Sequence, residues 1–368
     1  MQVNSLILEN FRSYEKKEID FAKMEKMVVF KGKNGIGKTN ILEAVYALSI
    51  GKSFRTNDVF DMIKWESDFS RIKGEIFDDE NTSLEVFYSS FPKKMKNFKK
   101  NSVSISHKNF FANLLTVLFH PEDLNMLYLS PSYRRKYLDL ILSQTDKHYL
   151  SALMNFNKAL KQRNNLLKDL QKKVFEKGLS NLNLSSLEIW DEKFIEFASE
   201  ILEKRQKFTL FLENLLAENY TQISGGNEQI QIKYFCKNQN ITPQNVAEIL
   251  RLELLSRRQK DIYSGKTTFG PHLDDLLFYI DQRVILKSAS RGEVRSLLLA
   301  LKLSEISYIS HKRKNLPVLL LDDVLSELDF DRQKHFLTSI KDCQVFITGT
   351  DLENPDLKNM DLSVLDVE

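Results

Sequence analysis

The run Gly32-Lys33-Asn34-Gly35-Ile36-Gly37-Lys38-Thr39 has the residue types and spacing of a phosphate-binding loop, the Walker A pattern. Its glycines let the backbone curl until successive N–H groups point at one anion. Asn40-Ile41-Leu42-Glu43-Ala44 follows with the apolar spacing of a helix start, and a helix N-terminus adds partial positive charge at the same point. The implied chemistry is ATP binding. Residues Gly32 to Asn40 cradle the nucleotide, Lys38 reaches the β and γ phosphates, and the Thr39 hydroxyl ligates Mg2+.

A partner for that magnesium stands far down the chain. Pro317-Val318-Leu319-Leu320-Leu321-Asp322-Asp323 predicts a buried, parallel-type strand ending in two carboxylates, the Walker B pattern. Asp322 is expected to hold the metal through a water, and Asp323 to orient or deprotonate the attacking water. An apolar strand ending in Asp-Asp is also an ordinary start of a loop, and the Walker A run is what gives this pair its catalytic reading. Between the two motifs, Ser290-Arg291-Gly292-Glu293 precedes an apolar helix pattern. Ser-x-Gly at a helix start is a second phosphate grip, and a plain N-cap is its alternative. Because Walker A already fills the role in cis, Ser290 and Gly292 are expected to close on the γ-phosphate held by a second copy, so that ATP joins a homodimer.

The elements that must position these groups read as three regions. Short β-rich runs, Val3 to Leu8 and Met27 to Phe30, lead into the loop, and Arg71 to Phe77 and Ser83 to Tyr88 form a hairpin across Asp78-Asp79-Glu80-Asn81. A helical middle carries Leu150, Leu153, Leu160, Leu167 and Val174 on one seam, with Asn157, Asn164 and Gln171 interrupting it. A second helix carries Trp190, Phe194, Phe197, Ile201, Phe208, Phe211 and Leu215. The pair predicts a short antiparallel arm of about 27 residues per helix, roughly 40 Å long. From about Ser256 strand signals return. The expected organisation is an α/β P-loop head in two pieces, residues 1–140 and 256–368, with a helical lobe and arm inserted at 141–255. The two pieces must meet in space.

Composition bounds the rest. The chain has 368 residues, 42% hydrophobic and 28% charged, with a formal net charge of +3, which does not by itself argue for a nucleic-acid partner. Local clusters do more: Lys93, Lys94, Lys96, Lys99, Lys100 and Lys108 lie in a run without an acid, and Arg134, Arg135 and Lys136 form a second patch. Each is a candidate DNA contact or simply a solvated loop or hairpin tip. Cys236 and Cys343 have no partners at metal-ligand spacing and read as buried thiols. The lack of a long apolar run and of a secretory layout at the N-terminus predicts a cytoplasmic protein with no membrane partner.

Together, Leu6-Ile7-Leu8-Glu9-Asn10-Phe11-Arg12-Ser13-Tyr14, Walker A, Ser290-Arg291-Gly292, Walker B and the D-loop Ser326-Glu327-Leu328-Asp329 resemble the ATPase head shared by SMC and ABC-type proteins. Within that group the chain resembles the RecF family. The resemblance is carried by Gly51-Lys52-Ser53-Phe54-Arg55-Thr56, Phe119-His120-Pro121-Glu122-Asp123-Leu124, Ser132-Tyr133-Arg134-Arg135-Lys136-Tyr137-Leu138-Asp139 and Gly270-Pro271-His272-Leu273-Asp274-Asp275. These landmarks span nearly the whole chain. The resemblance implies ATP and Mg2+ as cofactors and a homodimer on ATP binding. It also implies binding to double-stranded DNA at gaps, slow DNA-stimulated hydrolysis, and work with RecO and RecR in loading RecA.

Four positions depart from the wider pattern. Asp323 is one methylene shorter than the Glu usual in transporters and SMC proteins, which fits a slow enzyme. No switch histidine follows Val345-Phe346-Ile347, leaving Thr348 or Thr350 as substitutes. Glu293 stands in place of the signature Gln, and Leu273 where RecF proteins commonly carry Arg. The alternative class, the ATP-hydrolysing subunit of a transporter, would pair with membrane domains and has no need of the 147–217 arm.

Overall fold

The computed structural model describes residues 1–178, 183–285, 289–325, 328–349 and 361–367. They fall into two compact units, a head (Met1–Leu124, Glu218–Asn227 and Ser290–Glu368) and a lobe (Asn125–Ala217 and Glu228–Ala289).

The head begins with β1 (Gln2–Phe11), β2 (Tyr14–Asp20), β3 (Met27–Lys31) and α1 (Lys38–Ile50), then β4 (Phe69–Asp78), β5 (Glu80–Ser89), β6 (Met95–Lys100), β7 (Val103–Ile105) and β8 (Thr116–Phe119). Six of these strands make an antiparallel sheet in the order β2-β1-β4-β5-β6-β7. β4 alternates buried and half-buried residues, as a sheet with one covered face requires. The covering element is α1, whose Leu48 comes so close that a Cβ on Gly74 of β4 would lie 2.6 Å from it. The β4–β5 hairpin is tighter than predicted: Asp78 pairs with Glu80, and Asp79 alone turns the chain at φ 58. Of the lysine-rich run, Lys96, Lys99 and Lys100 lie on β6 of the β6–β7 hairpin, turned by Asn101 and Ser102, while Lys93 and Lys94 precede it and Lys108 follows it.

The lobe contains α2 (Pro131–Thr145), α3 (Lys147–Lys177), β9 (Ile230–Phe235), α5 (Val246–Ser264), β10 (Asp275–Ile280) and β11 (Arg283–Val284); α4 (Ser185–Ser224) begins in it. The helices of the arm are longer than expected, 31 residues in α3 and 40 in α4. The buried seam of α3 keeps Leu150 and Leu167 of the predicted one and is rotated elsewhere. Ala152, Phe156, Ala159, Arg163, Leu167 and Leu170 are buried, whereas Asn157 faces solvent. Arg163 sits in that seam fully buried because Asp191, Asp261 and Thr267 accept its N–H groups at 2.7, 2.8 and 2.7 Å.

The expected boundaries at 140 and 256 are corrected to 124 and 290. Strand β10 reads locally as head material. It pairs antiparallel with β9 instead, Leu276 against Tyr234 and Phe278 against Ile232, so the segment 256–289 belongs to the lobe.

The head resumes with α6 (Arg291–Arg313), β12 (Val318–Asp322), α7 (Phe330–Ser339), β13 (Val345–Thr348) and β14 (Leu362–Asp366). The two head segments meet as the sequence requires, in a five-stranded parallel sheet ordered β14-β3-β13-β12-β8. All five residues of β12 and all four of β8 and β13 are buried, the near-continuous apolar pattern of a parallel sheet covered on both faces. β13 lies between the Walker A strand β3 and the Walker B strand β12. Register pairs Thr348 with Asp322 on one side and with Phe30 on the other, so three carboxyl ends converge where ligands bind open α/β sheets. Both cysteines are free and buried.

Candidate nucleotide site

Lys31 ends β3 and the next residues curl over the sheet's carboxyl edge. Gly37, at φ 117, has no room for a side chain, since a Cβ would meet the Tyr14 hydroxyl at 2.7 Å. That hydroxyl donates to the Gly37 carbonyl at 3.1 Å, and burial pushes its pKa up to about 12, so it stays a donor. Lys38 begins α1 buried, its ammonium held on the carbonyls of Gly32 and, at 3.2 Å, Lys33. Thr39 donates its hydroxyl to Asp322 Oδ1 at 2.7 Å, and Thr348 donates to the same oxygen at 2.7 Å. Asp323 is exposed beside this cluster with φ 53, its N–H directed to the Thr348 carbonyl at 3.1 Å and hydroxyl at 3.2 Å. An open cleft of about 640 Å³ is lined by Asn34, Gly35, Gly37, Lys38, Thr39, Asn40, Arg55, Asp323, Thr348 and Gly349. Thr350 lies outside the described residues.

Two contributors escaped sequence reasoning. Arg55 lines the cleft and donates to Asn40 Oδ1 at 2.8 Å. Beneath it the fully buried Glu43 of α1 accepts Arg12 Nε and Nη2 at 2.8 and 2.6 Å and the Ser53 hydroxyl, with Arg55 Nη1 at 3.6 Å. One carboxylate therefore ties β1, α1 and the segment after it together. A Glu in an otherwise apolar helix pattern, flanked by quoted motifs that each contain an Arg, was the available signal.

Ser290 and Gly292 do not line this cleft. Ser290 caps α6 in a reciprocal box: its hydroxyl accepts from Glu293 N at 3.2 Å, and Glu293 Oε2 accepts from Ser290 N at 2.5 Å. That explains a Glu at this position without a ligand. The cap is nonetheless open to a second molecule, since Ser290 is exposed and a Cβ on Gly292 would meet nothing nearer than 3.9 Å. In the D-loop, Asp329 caps α7 by accepting from Arg332 N at 2.9 Å, and Ser326 and Glu327 lie outside the described residues.

The basic candidates separate into three groups. Lys93 and Lys94, just before β6, and Lys96 on it are exposed, Lys94 with Asp58 at 3.8 Å. Lys99 is tied to Glu85 at 2.8 Å and Lys100 to Asn113 at 3.0 Å. Arg134 and Arg135 do not form a surface patch. Arg134 is buried in a two-point ion pair with Asp275 at 2.6 and 2.9 Å, and Arg135 donates to the Asp274 carbonyl at 2.7 Å. Arg134 is engaged inside the lobe and is not retained as a DNA contact, whereas Arg135 is half-buried with one N–H on a carbonyl.

A family model described as "RecF/RecN/SMC N terminal domain" matches residues 2–364. The chain is 36% identical over 358 residues to the DNA replication and repair protein RecF of Bacillus thuringiensis (strain Al Hakam), covering 96% of this chain and 93% of that one. RecF of Bacillus cereus (strain B4264) matches equally. Among solved structures, the recombination mediator protein RecF with ATP in the RecFOR pathway superposes with a TM-score of 0.86 at 32% identity over 96% of this chain and 92% of that one. Its ATPrS counterpart gives 0.88 at 30% over 100% and 96%. An Smc head bound to the ScpA winged-helix domain shares the fold alone, at 15% identity and a TM-score of 0.53.

Proposed function

This chain belongs to the RecF family of SMC-type ATPase heads, and on that premise we propose that ATP and magnesium held in its cleft latch two copies together on duplex DNA. Its work lies in recombination and repair. The observation that carries the proposal is the convergence of the Thr39 hydroxyl and the Thr348 hydroxyl on one oxygen of Asp322, at the mouth of the glycine loop. A hydroxyl and a carboxylate oxygen brought together are hard donors that fit magnesium, with Thr39 as a direct ligand and Asp322 holding the metal through a water. When bound, the metal would offset charge on the β and γ phosphates. Backbone N–H groups of the loop bind the phosphates, and Lys38 leaves its two carbonyls for them. Asp323, exposed at the cleft, takes the proton of the attacking water; its short side chain suits slow turnover. Ser290 and Gly292 of a second copy complete the γ-phosphate site.

Beyond the head, the reading includes weak DNA-stimulated ATP hydrolysis, binding at gaps, and cooperation with RecO and RecR in loading RecA in the cytoplasm. No helix among the described residues is long and apolar enough to cross a membrane. Nothing observed favours the transporter-subunit alternative. Lys38→Ala is expected to lose ATP binding, and Asp323→Asn to keep binding while losing turnover, by fluorescent-nucleotide titration and phosphate release. Wild-type ATP affinity in Lys38→Ala, or wild-type turnover in Asp323→Asn, would refute these assignments.

A further inference from the structure

Gly292 stands in the first turn of α6, where a glycine weakens the helix relative to alanine, and its φ is not in the left-handed region that would call for one. Nor does its own copy crowd it. The nearest atoms to a Cβ built there are Arg332 Nη2 at 3.9 Å and Ser290 Oγ at 4.0 Å. A bare stretch of backbone flanked by a guanidinium and an exposed hydroxyl suits a ligand that approaches the main chain closely from outside the copy.

The guanidinium is held there by two fastenings, although Arg332 lies in the first turn of α7, whose positive end disfavours a cation. Nη1 donates to the Asp329 carboxylate, and Nε donates to the Ser296 hydroxyl of α6 at 3.0 Å. Asp329 needs no side chain from Arg332 to cap α7, since it already accepts the Arg332 backbone N–H at 2.9 Å. Ser296 is fully buried and anchors the group against the core, while the arginine side chain remains 28% exposed. Two edges of the planar fork are thus engaged, which aims the third. Nη2, beside Gly292, makes no hydrogen bond among the described residues. The pair with Asp329 offsets part of the charge and leaves its positive end at Nη2.

We propose that Arg332 acts across the dimer, its Nη2 donating to the γ-phosphate of the ATP bound by the second copy, between Ser290 Oγ and the bare backbone of Gly292. The proposal rests on the ATP-latched dimer above and adds to it a fixed cation supplied in trans, which speeds hydrolysis as well as holding the copies together. Arg332→Gln should keep the monomer's ATP affinity in fluorescent-nucleotide titration and lose about ten- to 100-fold in phosphate release. Mixing tests the direction of the contact. Lys38→Ala holds no ATP but offers an intact Arg332, so in an equal mixture with Arg332→Gln about half of the dimers pair unlike copies with one complete site, and turnover absent from either variant alone should return to about a quarter of the wild-type rate. Ser296→Ala removes a fastening and leaves the cation, and should lose no more than a few-fold. No recovery on mixing places the role of Arg332 within its own copy and overturns the proposal. A loss in Ser296→Ala equal to that in Arg332→Gln makes the arginine a clasp that acts through Ser290, and also overturns it, as does unaltered turnover or lost ATP binding in Arg332→Gln. Wild type that binds ATP yet sediments as a monomer overturns the dimer reading itself, which separates the two failures.

Discussion

Replacing Glu43 by Gln should both destabilise the head and weaken ATP binding, although Glu43 is not among the residues that line the cleft. The carboxylate is fully buried and accepts two N–H groups of Arg12 and the Ser53 hydroxyl, with Arg55 at 3.6 Å. An amide offers one acceptor atom, so whichever way it turns, one Arg12 N–H meets another N–H, and the guanidinium keeps its charge without a counter-ion. Breaking a buried pair from one side costs about 3–5 kcal/mol. The Arg12 and Arg55 side chains are 20% and 45% exposed and regain some hydration, which places the loss near the lower end, about 3 kcal/mol. At roughly 2–4 °C per kcal/mol, calorimetry should show the head melting about 6–12 °C lower. Arg55, released from Glu43, no longer lies fixed along the cleft, and ATP affinity measured by fluorescent-nucleotide titration should fall about tenfold, one hydrogen bond to a charged group. A melting shift under about 2 °C together with unchanged ATP affinity would refute the idea that this carboxylate organises the site.

Three further outcomes follow from the geometry. Neutralising Lys93, Lys94 and Lys96 together should reduce the salt dependence of duplex binding by a slope of roughly 2–3, while neutralising Lys99 and Lys100 should change it little; equal effects would contradict the separation drawn here. Arg134→Ala should lower thermal stability by about 3–5 kcal/mol through the stranded Asp275, and a well-folded variant that merely binds DNA less tightly would restore Arg134 to the interface. Burial, with nearby Arg135, Arg163 and Lys237, pushes His272 down to about 4 from its usual 6.5. The unfolded chain therefore takes up a proton that the folded lobe refuses, so this group's contribution is full above about pH 6.5 and is lost as pH falls toward 4. Asp274, pushed up to about 6 by burial, acts oppositely over the lower part of that window. The informative quantity is thus wild type minus His272→Gln in urea unfolding, which should shrink by about 2 kcal/mol between pH 7.5 and 5, and a constant difference would exclude His272 as the sensor.

The nucleotide motifs were legible because phosphate binding needs backbone N–H groups at fixed spacing, and that spacing is local in sequence. Gly32 to Thr39 and Val318 to Asp323 fall where the periodicity puts them, and the all-apolar strand around Leu320 announces a parallel sheet. What local pattern could not reveal was partnership across the chain. Strand β10 is a good strand wherever it pairs, and only its register against β9 assigns it to the lobe. Arg134 and Arg135 look like surface charge until Asp275 and the Asp274 carbonyl arrive from more than a hundred residues away. Arg163 escaped notice for the same reason, since a helix seam filled by an arginine is stable only with Asp191 and Asp261 to meet it. In sequence Thr348 is one of two substitutes for a missing histidine, and register with Asp322 is what brings its hydroxyl to the carboxylate.

The central claim, that ATP closes two copies on each other through Ser290, is tested most directly by sedimentation of wild type and Ser290→Asp with saturating ATP and magnesium. Aspartate is as good an N-cap as serine, so α6 keeps its start, but its charge would face the γ-phosphate held by the other copy. Wild type should move from the 43.0 kDa monomer to a species of twice that mass, and Ser290→Asp should bind ATP yet remain monomeric. A wild type that stays monomeric with ATP bound, or a Ser290→Asp variant that dimerises as readily, would contradict the account.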